Sequence, residues 1–113
     1  MKEFLYIIRG GQELYMNNSP QEMQDHMEDW QQWMNTLAKN GKLVGGQPLM
    51  NEGKTLIDFG KKTIDRPLAE GKELVGGYLL VKATSLSEAA EIAKDCPSTI
   101  YDCSIEIREI SPM

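Results

Sequence analysis

Two short runs, Phe4-Leu5-Tyr6-Ile7-Ile8 and Tyr78-Leu79-Leu80-Val81, are apolar or aromatic at every position. Successive residues of a strand point to opposite faces of a sheet, so strands of this kind need cover on both sides. That requirement constrains the fold more than any other feature, because the chain offers only two helices to meet it.

The first helix has both ends written in the chain. Ser19-Pro20-Gln21-Glu22 places Ser at the N-cap, Pro at the first helical position and Glu where a capping box needs it. Met23, Met27, Trp30, Met34 and Leu37 then recur at helical spacing, the stripe of a helix packed on one side. Asn40-Gly41 suits a C-terminal cap, so the helix is predicted from about Pro20 to Asn40. Ser85-Leu86-Ser87-Glu88 repeats the capping pattern and opens a second helix over about Leu86 to Asp95. Its small face of Leu86, Ala89, Ala90 and Ala93, with Ile92 beside it, can lie close against a sheet, and Cys96-Pro97 ends it.

Strands fill the remainder. Phe4 to Arg9 stops at Gly10-Gly11, and a loop with Asn17-Asn18 leads to the first helix. Lys42 to Leu49 and Leu74 to Val81 read as strands, and Cys103, Ile105 and Ile107 alternate with Ser104, Glu106 and Arg108 in a last one. Thr55 to Phe59 reads as an extra strand leading toward Thr63-Ile64, with Pro67 and Gly71 in irregular chain; residues 50 to 73 can form a hairpin, a lid or a dimer arm. The order is β-α-β, a β-rich insertion, then β-α-β. This is the α+β, ferredoxin-like βαββαβ pattern, an antiparallel sheet with both helices on one face. Its other face still needs cover, most simply from a second copy of the chain, so a homodimer closed into a dimeric α+β barrel is expected.

The tetrapeptide Leu-Val-Gly-Gly occurs twice, at Leu43 to Gly46 and at Leu74 to Gly77. In this topology the two copies sit on neighbouring antiparallel strands and are not equivalents under its internal symmetry, so they are no duplication. Glycine in a strand marks a bulge, a bend or a close approach. Gly45, Gly46, Gly76 and Gly77 therefore mark either sheet curvature or a place where a ligand or a partner chain meets the backbone.

At 113 residues the chain is expected to be one domain, residues 1–113. A net charge of −5, with its 12 Lys and Arg scattered, argues against nucleic-acid binding, which needs a clustered basic surface. FLYII is too short for a signal peptide or a membrane span, so no membrane role and a cytoplasmic location are expected. Cys96 and Cys103 lack CxxC spacing and a nearby His, which speaks for plain thiols rather than zinc. No GxGxxG or P-loop context exists, so no cofactor is expected, and the methionines read as adaptable core.

From Asp65 to Tyr78 the chain reads DRPLAEGKELVGGY. This segment resembles the YCII-related family, in its DGPF-type branch, at Asp65, Pro67, Ala69, Glu70, Lys72, Glu73, Gly76, Gly77 and Tyr78. Arg66 and Leu68 stand where the branch has the Gly and Phe that name it. WMNTLAKNGKLVGGQPL also looks like the family's helix and second strand. The resemblance implies a ferredoxin-like fold dimerising sheet to sheet, company with alternative sigma factors, and in some members a His–Asp pair in a cleft. Counting back from the glycine matching Gly41, the expected catalytic His falls on Trp30. The one histidine, His26, lies a turn earlier on the same side.

His26 has Glu22 and Asp29 on its helical face. Three readings stand: a solvated acidic helix face; a general base whose pKa the carboxylates raise, working with Asp29 or Asp65; or a thin single-helix metal site. Trp30 and Trp33 are core or pocket wall. Arg9 ends a buried strand and needs an anion, from Asp65 or a ligand carboxylate. Asp65 is a turn cap or a member of the site. Tyr78 can hold its ring in the core and its hydroxyl in a cleft. No serine partners the His, so no triad is expected. The reading is a small dimeric protein with a cleft for a small anionic or carbonyl-bearing molecule, either an acid–base enzyme or a non-enzymatic metabolite-sensing or partner-binding module.

Overall fold

The computed structural model describes residues 1–11 and 17–112. Its elements are β1 (Lys2–Gly10), α1 (Pro20–Lys39), β2 (Leu43–Pro48), β3 (Thr55–Ile57), β4 (Lys62–Ile64), β5 (Val75–Ala83), α2 (Leu86–Ala93) and β6 (Cys103–Glu109). Single 3₁₀ turns at Gly71–Glu73 and Pro97–Ile100 lead into β5 and β6. The loop expected between β1 and α1 falls largely on residues 12–16, outside the described residues.

The main sheet runs β2-β5-β1-β6, antiparallel throughout, and α1 and α2 pack on one face: the ferredoxin-like α+β fold. The insertion is a separate two-stranded hairpin, β3–β4. Phe4, Tyr6 and Ile8 of β1 and Leu79, Val81 and Ala83 of β5 point to the helices and bury against Leu37, Ala89 and Ala93. The Tyr6 hydroxyl crosses to α2 and donates to the Ala89 carbonyl at 2.6 Å. That bond and the small alanines hold α2 close to the sheet. Burial of the same phenol pushes its pKa up to about 12.

α1 begins as its sequence dictates. Ser19 Oγ accepts from the Glu22 N–H at 3.1 Å, and the Ser19 N–H donates to Glu22 Oε1 at 3.1 Å. It ends in a Schellman motif, with Gly41 at φ +70 donating to Ala38 and Lys42 donating to Leu37. Its buried stripe is turned from the expected one. Met27 is 67% exposed, and the inward face is His26, Trp30, Trp33 and Leu37. Both stripes share Trp30 and Leu37, and the sheet accepts the face with the larger rings. At α2 only half the capping box forms. Ser85 Oγ accepts from the Glu88 N–H, while the Glu88 carboxylate takes hydrogen bonds from Thr84 instead.

The repeated tetrapeptides lie side by side and each carries a bulge. The register slips between Leu43 and Gly45, leaving Val44 over, and opposite Ile8 and Arg9, leaving Gly76 over. A Cβ on Gly46 would lie 2.6 Å from the Tyr78 carbonyl oxygen and 2.8 Å from Leu79 Cγ. One on Gly77 would lie 3.2 Å from the Gln47 carbonyl oxygen. At Gly46 and Gly77 the neighbouring strand thus leaves little room for a side chain. Gly45 meets nothing within 4 Å.

By the alternation of the ladders, the other sheet face carries Leu5 and Ile7 of β1 and Tyr78 and Leu80 of β5. All four are half-buried in the single chain. No helix among the described residues is long and apolar enough to cross a membrane.

Candidate functional site

The capping box and the Trp-rich face of α1 roll His26 inward, leaving it 7% exposed. Trp30, one turn on, donates its indole Nε1–H to His26 Nε2 at 3.0 Å. A neutral imidazole that accepts at Nε2 carries its proton on Nδ1, so this bond sets the tautomer. Nδ1 is buried and has no partner among the described residues. Burial pushes the His26 pKa below its ordinary value, and the opposing pull of the Asp29 carboxylate is weaker. The expected upward shift is therefore reversed: desolvation of the imidazolium outweighs a carboxylate that stays in solvent.

Rings extend from His26 in both directions. Tyr101 meets it edge to face at 5.1 Å between centroids, with its hydroxyl accepting from Asn18 Nδ2 at 3.1 Å. Trp30 is 6.4 Å away on the other side and stands edge to face with Trp33 at 5.5 Å. Trp33 reaches the surface as a wall of an open groove of about 330 Å³. Pro97 and Ile100 complete its apolar side, and Asp29, Gln32, Thr36 and Asp95 its polar side. The lining is thus about as polar as apolar, and the volume lies at the lower end of the range of small-molecule sites.

The remaining expected site residues lie elsewhere. Arg9, half-buried, pairs with Glu106 across the open sheet face at 2.7 Å. Tyr78 sits on that same face, its hydroxyl 3.4 Å from Gln47 Oε1. Gly46 and Gly77 meet the neighbouring strand closely, Gly76 stands at the bulge opposite Ile8 and Arg9, and Gly45 faces open space. Asp65 is exposed after β4 and pairs with Lys54 at 2.5 Å. The structure therefore joins His26, Asp29, Trp30 and Trp33 on the helix side and sets Arg9 and Tyr78 on the other side of the sheet. Tyr101, the partner that completes the ring cluster, escaped sequence reasoning. It sits in irregular chain after a 3₁₀ turn, with no periodic signal to single it out.

A second hollow, of about 490 Å³ and mostly apolar, opens where β2 leaves the sheet and β5 enters it. Leu49, Met50, Pro67, Leu68 and Val75 line it, with Glu52 on its rim. Cys96, 1% exposed and 3.0 Å from Ser98 Oγ, and the half-buried Cys103 are both free thiols whose pKa burial raises. Among the described residues no three His, Cys, Asp or Glu side chains converge as a metal set would.

A search of curated protein sequences finds no match to this chain. Among solved structures the chain is similar to 5-chloro-2-hydroxyhydroquinone dehydrochlorinase (TftG) from Burkholderia phenoliruptrix AC1100, in complex with 2,5-dihydroxybenzoquinone. The identity is 15% and the TM-score 0.57, over 98% of this chain and 94% of the other, a likeness of fold. The model of the YCII-related domain matches residues 3–113, in accord with the motif at Asp65 to Tyr78. On that match over nearly its whole length, the chain belongs to the YCII-related family.

Proposed function

We propose that this chain is a cytoplasmic homodimeric protein that binds a small carbonyl-bearing or anionic molecule, with His26 as the group that meets its oxygen. The observation that carries the reading is the buried Nδ1 of His26, which has no partner among the described residues. An unsatisfied buried donor costs roughly 1–3 kcal/mol. A ligand oxygen accepting from Nδ1–H would remove that cost on entering past Trp33, which requires side chains to move aside, because Nδ1 is closed to solvent and His26 does not itself line the Trp33 groove. In this tautomer His26 is a neutral donor, able to polarise a carbonyl or steady a developing oxyanion. In an enzymatic reaction the proton-accepting role then falls to Asp29, whose field reaches the imidazole, and not to Asp65, tied to Lys54. Arg9 and Tyr78 line the sheet face that the second copy covers. The free thiols are consistent with a reducing compartment. A fold relative that holds a small dihydroxyquinone lends the ligand class further support.

One observation favours a non-enzymatic metabolite sensor instead: Trp30 occupies the Nε2 lone pair that a histidine base would use. Titration with 2,5-dihydroxybenzoquinone, followed by the ¹⁵N resonances of His26 and by tryptophan fluorescence, tests both. Saturable movement of Nδ1 in the wild type is expected, and its absence sinks the site. His26→Ala should abolish binding if Nδ1 holds the oxygen, whereas a sensor relying on the Trp33 groove would keep it.

A further inference from the structure

The β3–β4 hairpin turns through three consecutive left-handed residues, Asp58 (φ 54), Phe59 (φ 57) and Gly60 (φ 82). The Ile57 carbonyl accepts from the Gly60 N–H at 3.1 Å, and the Asp58 carbonyl from the Lys61 N–H at 3.0 Å. Left-handed backbone suits glycine, and for a phenylalanine it is strained. That strain has no return within the chain, because Phe59 is 98% exposed. Leu56, on the same hairpin, is 65% exposed. A two-stranded hairpin is marginal by itself in water and needs something to pack against.

The chain also carries a hollow that suits such an anchor. The apolar cleft at the ends of β2 and β5 has room for an aromatic ring, and its wall residues Leu68 and Met50 are 66% and 80% exposed. Charges match as well. Lys61 and Lys62 follow Phe59 and make no ion pair among the described residues, while the acidic Glu52 lines the cleft; Glu70, next to its wall residue Ala69, is already paired with Arg66 at 3.4 Å. The shape of the chain agrees with an arm held out from the body. Its radius of gyration is 15.5 Å, against about 13 Å for a compact chain of this length.

We infer that the β3–β4 hairpin is an exchange arm: Phe59 of one copy seats in the cleft formed by Leu49, Met50, Pro67 and Leu68 of a second copy, and the reverse. A chain bearing both anchor and socket can close the contact twice about a two-fold axis, which buries both features and leaves neither to propagate. The contact is additional to the sheet face, and it rests on the proposed dimer only for the presence of the second copy.

Sedimentation equilibrium of wild type, Phe59→Asp and Leu80→Glu separates the two contacts, with circular dichroism as the check on folding. Phe59→Asp removes the anchor from both halves of the two-fold contact, so at about thirtyfold for each buried aromatic anchor it should weaken the dimer by about a thousandfold. Phe59→Cys mixed with Leu68→Cys should give a crosslinked heterodimer with a short bis-maleimide, while each variant alone, carrying the native Cys96 and Cys103, should not. A dimer that Leu80→Glu dissociates but Phe59→Asp leaves intact, with no heterodimer crosslink, overturns the arm and keeps the sheet interface. A wild type that is monomeric at every concentration overturns both. Phe59-dependent binding to anionic phospholipid vesicles, with self-association unchanged by Phe59→Asp, assigns the tip to a lipid surface and also overturns the arm.

Discussion

At the scale of single residues, the two adjacent glycines of the first Leu-Val-Gly-Gly differ sharply in their surroundings. Gly46 faces the Tyr78 carbonyl and Leu79 at distances no Cβ tolerates, whereas Gly45 faces open space. Gly46→Ala should therefore cost about 1–3 kcal/mol through forced strand separation, and Gly45→Ala should stay within about 0.5 kcal/mol of wild type. Urea midpoints of the two variants check this contrast. His26 offers a second residue-scale outcome. Its pKa lies lower in the folded chain than in the unfolded one, so below about pH 6.5 the unfolded state binds the extra proton. Stability should then fall as pH drops from about 6.5 toward the lower folded value, and His26→Gln should flatten the slope in that window. Urea denaturation at a series of pH values reads it directly; an unchanged slope in the variant would contradict a buried neutral imidazole.

At the scale of elements, local chemistry was readable and orientation was not. Ser19, Pro20, Glu22 and Gly41 bound α1 because caps are satisfied within a few residues of the helix end. Ser19→Ala should lower stability by about 1 kcal/mol, measured as a shift in urea midpoint at constant slope. The rotation of α1 was harder to read, because Met27 and Met34 on one side and His26 and Trp33 on the other give two apolar stripes sharing Trp30 and Leu37. The sheet chose between them, burying the tryptophans and drawing His26 in beside Tyr101. Helix α2 shows the same division. Its start at Ser85 was readable, but Glu88 leaves the box for Thr84, a partner the repeated motif does not reveal.

At the scale of the whole molecule, the chain spans 44 × 44 × 18 Å, a slab with helices on one side and a half-buried sheet face on the other. The sequence by itself determined the two helices, the main strands and the order that makes the fold ferredoxin-like. Those properties follow from side-chain alternation, helical spacing and caps, all of which act between residues close along the chain. Only the tertiary structure decided that His26 is buried with a lowered pKa, that Tyr101 completes its surroundings, and that Arg9 and Tyr78 lie across the sheet from it. Burial, tautomer and charge pairing depend on which distant segments meet. Residues 26 and 101 become neighbours only when both helices have docked on the same face of the sheet.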